Sequence, residues 1–204
     1  GIRKIPYLST LLPEFHICKD GKGAEAVVGW GLRPTTHKAR AFAAEHQLPF
    51  IALEDGFLRS LGLGVSGYPP YSIVYDDIGI YYDTTRPSRL EQLILAADTM
   101  PSETLAQAQQ AMDFILQYHL SKYNHAPELS DDHPLRSPSK PETVLIIDQT
   151  FGDMAIQYGG ADASTFELMF QTALNENPQA DIWVKTHPDV LCGKKQGYLT
   201  QLAQ

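Results

Sequence analysis

The sequence has 204 residues, of which 43% are hydrophobic and 20% are charged. This composition supports a buried core and excludes a chain that is disordered throughout. The formal net charge of −8 excludes a protein that binds nucleic acid over its whole surface, because such a surface is basic. No apolar run reaches the roughly 18–20 residues of a membrane span, and we expect no signal peptide. Cys18 and Cys192 lie too far apart to suggest a metal-binding pair, so a reducing cytoplasm is the simplest location.

The first 97 residues alternate short apolar runs with turn signals and helical stretches. Strands are predicted at residues 26–28, 50–53, 72–75 and 79–82, and a helix is predicted at residues 36–47. Ser88 and Glu91 have the spacing of a capping box, which predicts a helix over residues 90–97. This alternation is typical of an α/β layer fold with a largely parallel sheet.

The second half begins with a predicted long helix and a linker. The helix covers residues 102–123, and its apolar face comprises Leu105, Ala108, Met112, Ile115, Leu116 and His119. Residues 124–142 contain four prolines and are interpreted as the linker. A new α/β unit follows, with a strand at 143–147, a loop at 148–160 and a helix at 164–175. A second strand is predicted at 181–185 and a loop at 193–197, and another helix is predicted to start at the end of the sequence.

We therefore divide the chain into a first lobe at residues 1–97, a helix and linker at 98–142, and a second lobe at 143–204. One strand–helix–strand unit cannot close a Rossmann-like lobe. Either residues outside this sequence complete the second lobe, as we expect, or the second domain is unusually small.

Polar clusters follow four of the predicted strands. They occupy residues 29–33, 54–60, 148–153 and 186–189. In open α/β sheets, ligands bind outside the carboxyl ends of the strands, so the clusters predict a ligand cleft. A polar residue at a strand end can equally cap a helix or form a turn, and this alternative stays open for each cluster.

Glu54, Asp55 and Arg59 are candidates for acid/base chemistry and substrate binding. Glu54 and Asp55 are adjacent, so on a strand they point to opposite sides and one of them can face a cleft. A carboxylate near a cation suits general acid/base catalysis, and the planar guanidinium of Arg59 matches a substrate carboxylate or phosphate. The alternative is a local ion pair that holds the loop.

Asp148 and Asp153 are candidates for a carboxylate nucleophile. Such a nucleophile is the known route to a covalent glycosyl intermediate with retained configuration. Asp153 lies beyond the strand end, after Gly152, whereas Asp148 ends the strand and more plausibly organises the loop. Two carboxylates could also bind Mg²⁺, although sites for this ion usually recruit more oxygen ligands.

His187 and Pro188 follow the strand that carries Lys185. A histidine held by a following proline can donate a hydrogen bond to a phosphate, with Lys185 or Thr186 assisting. A structural histidine is the alternative. The sequence contains no P-loop, no GxGxxG and no GxSxG, so it lends no support to a nucleoside triphosphatase, a dinucleotide-binding protein or an α/β-hydrolase.

These segments resemble the KpsC-type capsule polysaccharide proteins, which are retaining β-Kdo glycosyltransferases. The matching segments are Gly29-Trp30-Gly31, residues 54–60 with Gly62 and Gly64, residues 79–83, residues 148–153 and residues 184–189. They occur in the family order and span nearly the whole chain.

The resemblance implies a GT-B-like fold of two Rossmann-like lobes, with residues 1–97 on the acceptor side and residues 143–204 beginning the lobe that binds the nucleotide sugar. The donor would be CMP-Kdo, with no further cofactor and no metal. The acceptor would be a Kdo-bearing phosphatidylglycerol-type lipid in capsule linker synthesis. Other capsule biosynthesis proteins would be partners and nucleic acid would not, and the protein would lie peripherally at the inner membrane. Family members continue beyond the His-Pro strand, which again predicts a truncated chain.

The resemblance also implies roles for individual residues. Asp153, at the end of a Gln149-x-x-x-Asp153 pattern, corresponds to the nucleophile, with Asp148 as its rival, and Glu54 corresponds to an acid/base residue. The His-Pro pair corresponds to the motif that holds the CMP phosphate. The predicted substrate contacts are His187, Lys185, Arg59, Pro188, Gln149 and Trp30. A non-catalytic sugar-nucleotide or glycan-binding module and a scaffold for capsule assembly remain alternatives, since only catalysis needs Asp153 and Glu54 at one anomeric centre.

Overall fold

The computed structural model describes residues 2–18, 21–62, 64–122, 128–200 and 202, with Val65 described by its backbone alone. The chain divides into two compact units, Gly1–His125 and Ala126–Gln204. Each unit contains its own sheet, of three strands in the first and two in the second. The boundary between the units lies within residues 98–142, the segment interpreted above as a helix and linker.

The first unit contains three strands and four α-helices in its described residues. In chain order they are α1 (Leu8–Leu11), β1 (Val27–Trp30), α2 (His37–Glu45), β2 (Phe50–Asp55), β3 (Ile73–Asp76), α3 (Arg89–Leu95) and α4 (Ser102–Gln117). Short 3₁₀ turns lie at Ile2–Lys4, Pro34–Thr36, Gly64–Ser66 and Ala97–Thr99. The predicted strands at 26–28, 50–53 and 72–75 and the predicted helices at 36–47 and 90–97 therefore have counterparts here.

The sheet of the first unit is mixed, with β2 in the centre. β1 pairs with β2 in parallel, and Val27 lies opposite Phe50. β2 pairs with β3 in the antiparallel sense, with Asp55 opposite Ile73, because the chain after β2 folds back on itself. The N–H of Gly56 donates to the carbonyl of Ser72 at 3.0 Å and closes this reversal. The expectation of a largely parallel sheet is thus wrong for β3.

The predicted strand at residues 79–82 is also wrong, and buried Asp76 provides the reason. Oδ1 of Asp76 accepts the N–H groups of Ile78 at 2.9 Å and Gly79 at 2.8 Å, and Oδ2 accepts the N–H of Arg89 at 2.9 Å. These backbone donors therefore bind a carboxylate and not a neighbouring strand. The segment after β3 forms a tight turn leading to α3.

The core of the first unit lies on β2, whose apolar residues are buried as befits a central strand. Leu12, Ile51 and Leu53 form the buried cluster, and partly buried side chains including Phe15, Val28 and Trp30 pack against it. Fully burying a leucine or isoleucine side chain stabilises a fold by about 1.5–3 kcal/mol. This cluster holds the carboxyl ends of β1 and β2 in place.

Helix α3 begins where the sequence predicts, whereas α4 is shorter than predicted. The hydroxyl of Ser88 accepts the N–H of Glu91 at 3.1 Å and caps α3. Helix α4 ends at Gln117, and His119 shortly after it adopts a left-handed φ of 50°. On the predicted apolar face, the exposed fraction is 50% for Met112 and 70% for Leu116, so this face is not part of the core of the unit.

The second unit is built on two parallel strands. Its elements are β4 (Glu142–Ile147), α5 (Met154–Tyr158), α6 (Ala163–Glu176), β5 (Ala180–Lys185) and α7 (Pro188–Leu191). Ile146, Phe166 and Leu199 form its buried core, so α6 packs on one face of the pair. Asp162 and Thr165 form a capping box that starts α6.

Three predictions for the second unit need correction. Residues 148–160 were predicted to be a loop but contain α5, and α7 directly follows the His187 turn. No helix begins after Leu191 in the described residues up to Thr200, because that segment binds the end of β4 instead. Part of the predicted linker is also tied to this unit, since Ser139 and Lys140 donate backbone N–H bonds to Asp181 at 2.7 and 3.0 Å. Its residues 124–127 lie outside the described parts of the chain.

Candidate functional site

Glu54 lies at the carboxyl end of β2, in the first unit, beside the turn that follows β1. Gly31 in this turn has a left-handed φ of 52°, which glycine adopts without strain. A Cβ atom added to Gly31 would overlap the hydroxyl oxygen of Tyr82 and would lie 2.6 Å from Oε1 of Glu54. The absence of a side chain at this position therefore leaves room for the tyrosine hydroxyl and the glutamate carboxylate beside the turn.

Tyr82 is the functional candidate that the sequence analysis missed. Its hydroxyl accepts the N–H of Leu32 at 2.9 Å, and burial raises the pKa of Tyr82 to about 12, with the charge of Glu54 adding to the rise. The phenol is consequently neutral at physiological pH and can donate a proton in a hydrogen bond. The segment of residues 79–83 was a signal of the family resemblance, but its misassignment as a strand hid the position of Tyr82.

The structure places Arg59 in a local ion pair. Its Nε lies 2.7 Å from Oδ1 of Asp55, and only 14% of the arginine side chain is exposed. Its Nη1 donates to the hydroxyl of Ser60 at 2.9 Å and to the carbonyl of Tyr68 at 2.8 Å. The guanidinium therefore holds the loop after β2, which favours the ion-pair alternative over a direct substrate contact.

Trp30, another predicted substrate contact, lies at the end of β1. Its side chain is partly buried and packs against the cluster of Leu12, Ile51 and Leu53. This location favours a role in packing, which positions the Gly31 turn and acts on ligands only through it.

In the second unit, the carboxyl ends of β4 and β5 lie side by side. Ile147 is opposite Lys185 in the parallel register, and the N–H of Asp148 donates to the carbonyl of Lys185 at 3.0 Å. The loops that begin at Asp148 and Thr186 are therefore neighbours. This arrangement brings two of the four predicted polar clusters to one edge of one sheet, as expected for parallel strands.

Asp148 is buried and its carboxylate is occupied by the protein. Oδ1 accepts the N–H groups of Gln149, Tyr198 and Leu199 at 2.8, 3.1 and 3.2 Å, and Oδ2 accepts the hydroxyl of Thr200 at 3.4 Å. Only 2% of the residue is exposed. This environment suits a carboxylate that organises a loop and does not suit an attacking nucleophile.

Asp153 is more accessible than its rival. It is partly buried and caps α5, because its Oδ1 accepts the N–H of Ala155 at 2.9 Å. Gln149 is also partly buried, and its Oε1 accepts the N–H of Thr150 at 2.7 Å. Of the two aspartates, Asp153 thus carries fewer hydrogen bonds and lies at the outer end of the loop.

His187 has a defined tautomer when neutral. Its Nδ1 accepts the N–H of Asp189 at 3.1 Å, so the proton of a neutral ring must reside on Nε2. Pro188 begins α7 directly after it, and Lys185, at the end of β5, has an exposed side chain. A donor N–H on Nε2 and a nearby ammonium are groups that can bind a phosphate.

Two further properties concern metals and membranes. In the parts of the chain described above, no three His, Cys, Asp or Glu side chains come together to hold a metal ion. Across the same residues, no helix combines the length and the apolar character needed to cross a bilayer.

Comparisons with known proteins place these features in a family. The model of the family described as "Capsule polysaccharide biosynthesis protein" matches residues 25–204. The chain is 98% identical over 204 residues to the capsule polysaccharide modification protein LipA of Neisseria meningitidis serogroup B, covering all of this chain and 29% of that protein. It is 36% identical over 177 residues to the lipopolysaccharide-processing protein LpsZ of Rhizobium meliloti, covering 85% of this chain and 39% of that protein.

Two solved structures have a similar fold. The Thermosulfurimonas dismutans KpsC β-Kdo 2,4-transferase matches with a TM-score of 0.86 and 43% identity, over 98% of this chain and 62% of the other. The β-Kdo 2,7-transferase of the same KpsC matches with a TM-score of 0.60 and 25% identity, with the same coverage. The chain therefore spans under a third of the length of LipA and under two thirds of these transferases. On the extent of the family match, the chain belongs to the capsule polysaccharide biosynthesis protein family, as a protein of the KpsC type.

Proposed function

We propose that the chain is part of a retaining β-Kdo glycosyltransferase of GT-B-like fold. It would transfer Kdo from CMP-Kdo to a Kdo-bearing phosphatidylglycerol-type glycolipid during synthesis of the capsule linker. The observation that carries the proposal is the likeness to the KpsC β-Kdo 2,4-transferase, at 43% identity over 98% of the chain. The polar residues at the strand ends of both units support it.

Asp153 is the proposed nucleophile. One of its carboxylate oxygens would attack the anomeric carbon of Kdo, and the bond from that carbon to the phosphate oxygen of CMP would break, with CMP taking the electron pair. A hydroxyl of the acceptor would then attack the anomeric carbon of the resulting Kdo ester. The aspartate would leave with the electron pair, which regenerates its carboxylate. Two inversions give net retention. The accessible position of Asp153, compared with buried Asp148, supports this assignment.

His187 and Glu54 complete the proposed chemistry. The Nε2–H of His187 would donate to the phosphate of CMP, and Lys185 would add a positive charge. Glu54 would accept the proton that the acceptor hydroxyl loses. Gln149 and Pro188 would act by shaping the loops that carry Asp153 and His187, since both lie within those loops.

The biological setting follows from the same proposal. A lipid-linked acceptor would require peripheral association with the cytoplasmic face of the inner membrane, in company with other capsule biosynthesis proteins. CMP-Kdo would be a substrate, and no cofactor would take part.

The test is incubation of the full-length transferase module that contains this chain with CMP-Kdo and a synthetic Kdo acceptor, followed by NMR analysis of the product. A β-linked Kdo product, together with a Kdo adduct in the intact-protein mass spectrum, would support the transferase. Binding of CMP-Kdo without product or adduct would favour the non-catalytic sugar-nucleotide-binding module, which the engagement of Asp148 and Arg59 in loop structure also fits. Absence of both binding and product would contradict both functions and leave the scaffold.

A further inference from the structure

The Glu54 carboxylate and the Tyr82 hydroxyl both lie beside Gly31 in the first unit. A Cβ on Gly31 would overlap the tyrosine oxygen and would lie 2.6 Å from Oε1 of Glu54. The two oxygens therefore converge on the same small volume. Tyr82 comes from the turn after β3 and Glu54 from β2, so the fold itself brings them together.

The hydrogen bonds of Tyr82 and Glu54 indicate which of these two groups can donate to the other. The Tyr82 oxygen accepts the N–H of Leu32 at 2.9 Å, and a phenol hydroxyl can accept one hydrogen bond while it donates its own O–H to another group. Oε2 of Glu54 accepts the N–H of Asp55 at 3.3 Å, whereas Oε1 is the oxygen that faces Gly31. A carboxylate oxygen accepts hydrogen bonds and a neutral phenol donates one, so the two groups are complementary.

We propose that the Tyr82 hydroxyl donates a hydrogen bond to Oε1 of Glu54. This bond orients the carboxylate and favours its ionised form. Tyr82 is then a positioning residue for the base assigned to Glu54, and in that respect the inference rests on the proposed function. The leucine N–H holds the tyrosine in place, and the glycine provides the space. An ionised, oriented Glu54 is the state that can accept a proton from an acceptor hydroxyl.

Other charged groups in the neighbourhood act on the same pair. The positive charge of Arg33 lowers the pKa of Tyr82, and the ionisable phenol of Tyr81 raises it, although burial has the largest effect. On the other side, Asp55 is paired with Arg59 at 2.7 Å, which offsets its negative charge next to Glu54.

The test follows the chemical shift of the Glu54 carboxyl carbon as a function of pH by carbon-detected NMR. It compares the chain with its Tyr82→Phe variant. Loss of a hydrogen bond to the ionised form should raise the pKa of Glu54 by roughly half a unit to one unit. The matched control is Tyr71→Phe, which removes the same hydroxyl from a residue that is 55% exposed on the loop after β2. An unchanged titration in Tyr82→Phe, or an equal change in Tyr71→Phe, would overturn the inference.

A reciprocal measurement guards against misfolding of the tyrosine variant. In Glu54→Gln the negative charge is gone, so the pKa of Tyr82 should fall from about 12 when followed by ultraviolet difference titration. If Tyr82→Phe does not fold, this measurement can still overturn the inference, because a carboxylate that accepts the phenol O–H must raise the pKa of Tyr82. A pKa of Tyr82 that does not fall in Glu54→Gln would contradict the contact.

The pH profile of Kdo transfer separates a positioning role from a merely structural one. The rate should rise with pH as Glu54 ionises, and in Tyr82→Phe this acidic limb should move to higher pH by the same amount as the titration. If the Glu54 titration shifts in Tyr82→Phe but the acidic limb of the rate profile does not, the positioning role is overturned. Should the full-length module that contains this chain show no transfer at all, the proposed function fails, and the two titrations still test the Tyr82–Glu54 hydrogen bond.

Discussion

The backbone N–H of Tyr198 donates to Oδ1 of Asp148 over 3.1 Å, across 50 residues of sequence. The same oxygen accepts the N–H of Leu199, and a side chain on Gly197 would overlap Oδ2. Phe151 adds a backbone bond to Gln196 at 2.7 Å. Asp148 thus joins the end of β4 to the segment around Leu199, and Leu199 is a core residue of the second unit.

Asp148→Asn is expected to destabilise the chain by about 2–4 kcal/mol. The amide has one acceptor oxygen and carries no charge, so buried N–H groups lose their charged partner. Urea unfolding of the variant measures the loss. Asp131→Asn, at an exposed position, is the control and should change the unfolding free energy by less than about 0.5 kcal/mol. Equal stability of the two variants would contradict the anchoring role.

Asp153→Asn is expected to leave stability within about 0.5 kcal/mol of wild type, since asparagine caps helices as well as aspartate does. The same variant should form no Kdo adduct, because an amide oxygen does not replace the carboxylate nucleophile. Chemical unfolding and intact-protein mass spectrometry after addition of CMP-Kdo provide the two readings.

The Asp153→Ala variant is the companion to this test. It loses the capping acceptor as well and should cost about 1 kcal/mol of stability. A Kdo adduct that persists at the wild-type level in Asp153→Asn would remove Asp153 from the nucleophile role.

His187→Asn is expected to weaken CMP binding by about 1–3 kcal/mol, the usual contribution of a hydrogen bond to a charged group. An asparagine side chain can still accept the N–H of Asp189, which His187 Nδ1 accepts at 3.1 Å, so the start of α7 is retained. Isothermal titration calorimetry measures the affinity for CMP. The control is His37→Asn, at an exposed position in the first unit, which should bind CMP as wild type does. Unchanged affinity in His187→Asn would refute a phosphate contact.

Gly31→Ala is expected to lower the unfolding free energy by more than Gly23→Ala does. Both glycines have a left-handed φ, of 52° and 67°, so both variants incur backbone strain of about 1–2 kcal/mol. A Cβ on Gly23 would meet nothing within 4 Å, whereas one on Gly31 would overlap the Tyr82 hydroxyl. The difference between the two variants in chemical unfolding therefore measures that overlap. Equal losses would mean that the site opens freely around an added methyl group.

Elements whose signals are local can be predicted from the sequence. The apolar run of β2, the Ser88 cap of α3 and the general course of α6 were predicted because each depends on neighbouring residues. Residues 79–82 show where such reasoning fails. Their apolar character resembles a strand, but the carboxylate of Asp76 accepts the backbone N–H groups of Ile78 and Gly79 where that strand would begin. The sequence alone does not show which acceptor these donors bind.

The candidate site shows the same division. The alternation of strands and loops predicts strand-end positions for Glu54, Asp148 and His187, and the structure places each of them at or just after a strand. Asp153 lies further from β4, where it caps α5. The sequence does not show which of these side chains have their hydrogen-bonding positions filled by other groups of the protein. Asp148 accepts hydrogen bonds from residues about 50 positions away in the sequence. Arg59 forms its bonds within the loop after β2, and the hydroxyl of Ser72 holds that loop by donating to the carbonyl of Leu58.

The sequence by itself determined the α/β class, the family resemblance and the strand ends that carry the candidate residues, because periodicity, caps and motifs are properties of adjacent positions. Only the tertiary structure decided the antiparallel direction of β3, the burial of Asp148 and the placement of Tyr82 and Glu54 beside Gly31. Each of these depends on contacts between distant segments. Their free energies depend on which backbone donors and side chains the folded chain brings within hydrogen-bond distance.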